Sequence, residues 1–221
     1  MILLYTETIT NILSFIGVAS FSASGAMVGI EKGADIFGIM LLSAVTATGG
    51  GVLRDVFLGL APPKIFIEPT YLFIACLIAL VLFLFAYSFS DKYNEKKDFI
   101  DKANNIFDAL GLGIFVALGT QNAIDLGYFK NPVLSVLIGT ITGIGGGVIR
   151  DILVLKIPLI LRKHIYATAA LTGSITFYLL HIFAVKYCYN LIISLLITFT
   201  IRILASHYKW NLPTLMNINK E

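Results

Sequence analysis

The chain has 221 residues, 57% hydrophobic and 13% charged, with a mean hydropathy of +0.88 and a formal net charge of +3. A soluble domain carries about 25% charged residues, so this composition excludes an ordinary water-soluble fold. The small positive charge is accounted for by lysines and arginines in the loops and calls for no nucleic acid.

Taken in chain order, residues 8–30, 36–53, 71–89, 109–124, 131–149 and 165–185 contain no Lys, Arg, Asp or Glu. A spanning helix needs about 20 apolar residues, so each run predicts one. A seventh run, 187–201, is shorter, and Arg202 at its end is expected to snorkel to the surface and lengthen it. The runs are continuous rather than alternating, which excludes a transmembrane β-barrel. Residues 1–7 lack the basic leader and small-residue cleavage site of a signal peptide, so the first helix is expected to be retained. The reading is an all-α membrane protein with seven transmembrane helices in one domain, 1–221.

The first three helices, 8–89, form one repeat; a charged cytoplasmic linker, 90–105, joins it to a second, 106–185. A seventh helix, 186–206, and a cytoplasmic tail, 207–221, stand outside the repeat. Lys32, Lys92, Lys96, Lys97, Lys102, Lys156, Arg162, Lys163, Arg202, Lys209 and Lys220 fall on one side of the membrane, and only Lys64, Lys130 and Lys186 on the other. The positive-inside rule then puts the C-terminus in the cytoplasm and the N-terminus outside.

The repeat is carried by a motif. Gly49-Gly50-Gly51-Val52-Leu53-Arg54-Asp55 returns 96 positions later as Gly145-Gly146-Gly147-Val148-Ile149-Arg150-Asp151. Phe21-Ser22-Ala23-Ser24-Gly25 matches Phe115-Val116-Ala117-Leu118-Gly119, and Gly17 falls opposite Gly111. Pro62 and Pro158 follow the glycines at equal distance. Three helices per repeat force the second copy to enter from the opposite side. The halves are therefore inverted, an arrangement recurrent in transport proteins.

Both glycine triplets lie roughly 20 Å into their helices, at 1.5 Å per residue. Gly costs about 1 kcal/mol relative to Ala in a helix interior, so three together predict a kink or break. Freed carbonyls there would coordinate a dehydrated cation, with hydroxyls from Thr46, Thr48, Thr140 and Thr142 beside them. The plainer reading of the glycines is close helix packing. Arg54, Asp55, Arg150 and Asp151 need partners at this depth. Cross-pairing of Arg54 with Asp151 and Arg150 with Asp55 is one solution; lipid phosphate or a gate across a wet pathway is the other.

Asp108 reads as a cap at the start of the fourth helix. Gln121 and Asn122 are either interhelical glue or pathway residues. His164, beside Arg162 and Lys163, and His181 read as interfacial residues, with no metal ligand set around them. Cys76 and Cys188 read as packing residues rather than a disulfide. No Walker loop, nucleophile elbow or His-Glu-x-x-His occurs, and no strand precedes the glycines as a phosphate cradle requires. These features point away from an enzyme.

The doubled Gly-Gly-Gly-x-x-Arg-Asp, the Phe-x-Ala-x-Gly helix before each copy, and Tyr166-Ala167-Thr168-Ala169 after Ile157-Pro158-Leu159 resemble the bacterial branch of the TRIC family. These are the trimeric intracellular cation channels. The likeness covers about residues 10–205. It implies seven helices, an inverted three-plus-three repeat, a homotrimer in the bacterial inner membrane, and a potassium-permeable pore in each subunit between kinked second and fifth helices. It implies no cofactor beyond permeant K+ or Na+, with membrane lipid as the other partner. One departure is Ser14, opposite Asp108, where an acidic residue is expected; Asn11 is the nearest substitute.

Two functions remain open alongside a purely structural role. The first is a passive channel for monovalent cations. The second is a secondary transporter of a small zwitterion such as glycine, in which Arg54 or Arg150 would pair with the carboxylate.

Overall fold

The computed structural model describes residues 2–89, 97–162 and 165–210. The calls on residues 90–96, on Lys163 and His164 and on the tail from 211 onward lie outside the described residues. Nine α-helices are described: α1 (Ile2–Glu31), α2 (Ile36–Phe57), α3 (Lys64–Ile67), α4 (Thr70–Ser88), α5 (Lys97–Asp125), α6 (Pro132–Leu153), α7 (Leu159–Arg162), α8 (Ile165–Ile182) and α9 (Tyr187–His207). Seven of them are long and apolar enough to cross a membrane; α3 and α7 are single turns. The helices α1, α2 and α4 pack on one another, as do α5, α6 and α8, and the halves meet along α1–α5 and α2–α6. The helix outside the repeat, α9, lies against α8 and α5.

The helix starts show why the repeat folds alike. Asp35 caps α2, accepting the Gly38 backbone N–H at 2.7 Å. Its repeat mate Asn131 caps α6 by accepting from Leu134 at 3.0 Å, with Pro132 at the first helical position. Both helices end in the same turn. The Leu60 N–H returns to the Asp55 carbonyl and the Lys156 N–H to the Asp151 carbonyl, each 2.9 Å or shorter. Gly59 (φ +70) supplies the left-handed residue in the first turn; in the second that residue is Leu155 (φ 54), a residue less suited to it.

Two expectations need correction. The fourth helix begins at Lys97, so residues 97–105 belong to α5 and not to a linker. That places Asp108 in the fourth turn rather than at a cap. The predicted break at the glycine triplets is also absent: α2 and α6 run uninterrupted through Gly49–Gly51 and Gly145–Gly147. A Cβ on Gly50 would collide with the Thr142 carbonyl, and one on Gly146 with the Thr46 carbonyl. The backbones thus touch at two symmetric points, and the packing gained there offsets the poor helix propensity of glycine. No carbonyls are released to serve as cation ligands.

Candidate functional site

Each residue of a triplet has its own task. Gly49 makes room for Ile149 and Gly145 for Leu53, while Gly50 and Gly146 form the backbone contact. Gly51 and Gly147 face the guanidinium groups of Arg54 and Arg150, 3.8 and 3.7 Å from the Cβ positions. The four threonines hydrogen-bond the carbonyl one turn back: Thr46 to Leu42, Thr48 to Ala44, Thr140 to Val136 and Thr142 to Ile138. Thr46, Thr140 and Thr142 are buried, whereas Thr48 is half-buried and lines a cavity.

The arginines do not cross-pair between halves. Arg54 Nε and Nη2 grip Asp55 Oδ1 at 2.8 and 2.7 Å; Arg150 Nε and Nη2 grip Asp151 Oδ1, both at 2.9 Å. Neighbours on a helix point about 100° apart, but the long arginine stem curls back far enough to present two donors. The second oxygen of each carboxylate is used too. Asp55 Oδ2 accepts the Lys64 N–H at 2.8 Å and Asp151 Oδ2 the Leu159 N–H at 3.0 Å, fixing the starts of α3 and α7. Each Arg-Asp pair therefore ties its long helix to the short turn that follows.

Beyond this shared core the halves differ. Around Arg150, Nη1 donates to Asp108 Oδ1 at 3.1 Å and to Ser24 Oγ at 2.8 Å, and Ser24 in turn donates to Asn104 at 2.7 Å. Arg150 and Asp108 are each 2% exposed, and the Tyr166 hydroxyl stands 3.2 Å from the Gly147 Cβ position. Lys156 and Glu31 add a more exposed ion pair at 3.0 Å on this side. On the other side the mates of Asp108 and Ser24 are Ser14 and Leu118, and a cavity of about 350 Å³ takes the place of the cluster. Its wall includes Asn11, Ser14, Thr48, Gly51, Arg54, Asp55, Lys64, Glu68, Tyr71, Asn122 and Asp125. The Arg54 side chain is 15% exposed there against 3% for Arg150. One half holds a cavity and the other is filled.

Gln121 and Arg202 took other places than expected. Asn122 lines the cavity, while Gln121 bonds Asp125 on its own helix. Arg202 does not snorkel: it is 2% exposed, turned inward over the Tyr166 ring at 4.9 Å and donating to Asn105 at 3.2 Å. A cation in hydrocarbon costs about 2.5–3.5 kcal/mol on insertion scales, which a desolvated cation–π contact of about 2 kcal/mol and a charged hydrogen bond offset. A sequence signal existed, because Asn190, Ser194, Thr198 and Arg202 recur every fourth residue and all are buried. Cys76 is half-buried and packs against the core, as read.

The chain matches a family model described as "Glycine transporter" over residues 11–87 and 105–182, one span for each repeat. It is 38% identical to a UPF0126 membrane protein of Deinococcus radiodurans over 164 residues, 73% of this chain and 72% of that one. It is 33% identical to the UPF0126 inner membrane protein YadS of Escherichia coli, covering 91% and 94%. Among solved structures, a prokaryotic TRIC channel superposes with a TM-score of 0.83 at 37% identity, covering 93% of this chain and all of that one. The TRIC trimeric intracellular cation channel orthologue from Rhodobacter sphaeroides gives 0.81 at 33%, covering 92% and 100%.

The chain belongs to the TRIC channel family.

Membership in the TRIC family, with bacterial relatives and seven apolar helices, makes it a multi-pass membrane protein and not an enzyme. The doubled TRIC motif is the element that the two matched spans share, at Arg54-Asp55 and Arg150-Asp151.

Proposed function

We propose that the chain is a channel for monovalent cations, K+ or Na+, with one pathway inside each subunit of a homotrimer. The pathway runs along the α2–α6 crossing, and the N-terminus faces the outside of the bacterial inner membrane. The observation that carries this reading is the cavity beside Arg54, lined by Thr48 and Gly51 among others, with the Arg150 cluster filling the equivalent space opposite. Support comes from the likeness to TRIC cation channels over nearly the whole chain. With both helices intact, the oxygen ligands for the ion are side chains rather than main-chain carbonyls: Thr48, Asn11 and Asn122, and the carboxylates of Glu68 and Asp125. Selectivity is modest, since no stack of carbonyl rings is formed. Membrane lipid covers the outward faces.

A second reading is a carrier for a small zwitterion. It is favoured by the partly exposed Arg54 guanidinium in the cavity, within an inverted repeat, and by the description of the matching family model. Purified protein in planar bilayers and liposomes separates the two. Unitary K+ currents without saturable uptake of labelled glycine support the channel. Saturable glycine uptake with no current steps overturns it.

A further inference from the structure

We propose that Arg202, on the helix outside the repeat, is a positioning residue that holds the Arg150 half of the pathway shut by pinning Tyr166 and Asn105 against the Arg150–Asp108 pair. The proposal rests on the reading that this half is the closed end of the pathway.

The repeat alone gives no reason for the halves to differ in the aromatic that stands over the third glycine. Tyr166 and Tyr71 are repeat mates, each at the start of the helix that follows a short turn. Tyr71 lines the open cavity, its ring edge-on to Phe15 at 5.4 Å. Tyr166 is 1% exposed, beside Gly147 in the filled half. The contact that only Tyr166 has is Arg202, its guanidinium carbon 4.9 Å from the ring centroid. Arg202 comes from α9, which has no counterpart in the first repeat, and among the described residues no cation stands over the Tyr71 ring as Arg202 does over Tyr166.

Geometry gives Arg202 two holds at once. Its planar group covers the Tyr166 ring on α8, and Nη2 donates to Asn105 on α5, one turn before the Asp108 that pairs with Arg150. The seventh helix thereby fixes α8 and α5 on either side of Arg150. Arg202 Nε is buried in this group with no hydrogen-bond partner among the described residues, and the Tyr166 hydroxyl and the Asp108 carboxylate, buried beside it, have only each other to turn to. Such atoms gain partners when water enters, so the closed arrangement depends on the tether being kept.

Paired cysteine reporters test this in lipid nanodiscs, where both faces of the protein are accessible, with Cys76 and Cys188 replaced by alanine. Gly51→Cys reports on the open half and Gly147→Cys on the closed half; the probe is a small water-soluble methanethiosulfonate. In the presence of Arg202, Gly51→Cys is expected to react and Gly147→Cys to be protected. Arg202→Met is expected to speed Gly147→Cys labelling about tenfold, on the scale of losing a desolvated cation–π contact, and to leave Gly51→Cys unchanged. Asn105→Ala removes one hold from a half-exposed position and is expected to give a smaller increase at Gly147→Cys alone, even if Arg202→Met fails to assemble. A Gly147→Cys that reacts freely while Arg202 is present overturns the closed-half reading itself. Protection that survives both substitutions, or equal acceleration of both reporters, overturns the role of Arg202 and leaves that reading intact.

Discussion

Ser14 and Asp108 hold equivalent positions in the two repeats, and only Asp108 meets an arginine: its carboxylate lies 3.1 Å from Arg150, whereas Ser14 lines the cavity that Arg54 also lines. The Asp108 carboxylate is thus one of the features, with Ser24 and Arg202, that separate the filled half from the half with the cavity. It supplies an acceptor for the one guanidinium nitrogen that the neighbouring aspartate leaves unused, and it brings α5 onto α6.

Ser14→Asp is therefore predicted to close part of the cavity by pairing with Arg54. The labelling rate of Gly51→Cys by a water-soluble thiol reagent should fall by about tenfold, what one charge-assisted hydrogen bond is worth. Unchanged or faster labelling would show that the new carboxylate stays in water and only draws cations to the mouth.

Gly50→Ala and Gly146→Ala are predicted to destabilise the protein by about 3 kcal/mol or more each, because the added methyl meets a main-chain carbonyl that cannot step aside. Gly51→Ala meets only ordinary contact with a flexible arginine and should be neutral or slightly stabilising, since Ala is the better helix former. Thermal unfolding of the three purified variants in detergent checks the order.

Removing the arginines should hurt unequally. Arg150→Met leaves Asp108 and Asp151 buried without their cation, at a cost of about 3–5 kcal/mol. Arg54→Met leaves one buried carboxylate instead of two, and Asp55 keeps the Lys64 N–H, so the loss should be clearly smaller. Equal melting points for the two variants would contradict the difference in burial.

Leu155 sits in the left-handed turn that Gly59 occupies in the first repeat, and it is 96% exposed. Leu155→Gly relieves about 1–2 kcal/mol of backbone strain against about 0.5–1 kcal/mol of glycine entropy. A small net gain, up to about 1 kcal/mol, is expected in the same unfolding assay, with no change in flux.

Much of the fold could be read from one dimension. The seven spans follow from uncharged runs, and the inversion from three helices per repeat. The pairing of Arg150 with Asp108 could not be read, because the two are 42 positions apart and meet only through the α5–α6 contact. The glycine break was misjudged for a related reason. Propensity is a property of a helix alone, whereas Gly50 and Gly146 gain their stabilisation from the partner helix they touch. Arg202 looked like a surface residue by its distance along the chain, although the four-residue spacing with Asn190, Ser194 and Thr198 gave its direction.

The double backbone contact at Gly50 and Gly146 acts as a fulcrum. Two stiff rods pressed together at one crossing resist sliding and separation there, so a motion left to them is to rock about that point, and rocking that spreads one pair of ends draws the opposite pair together. Along the pathway proposed above, both mouths then open together only when side chains swing aside, not when the rods themselves tilt.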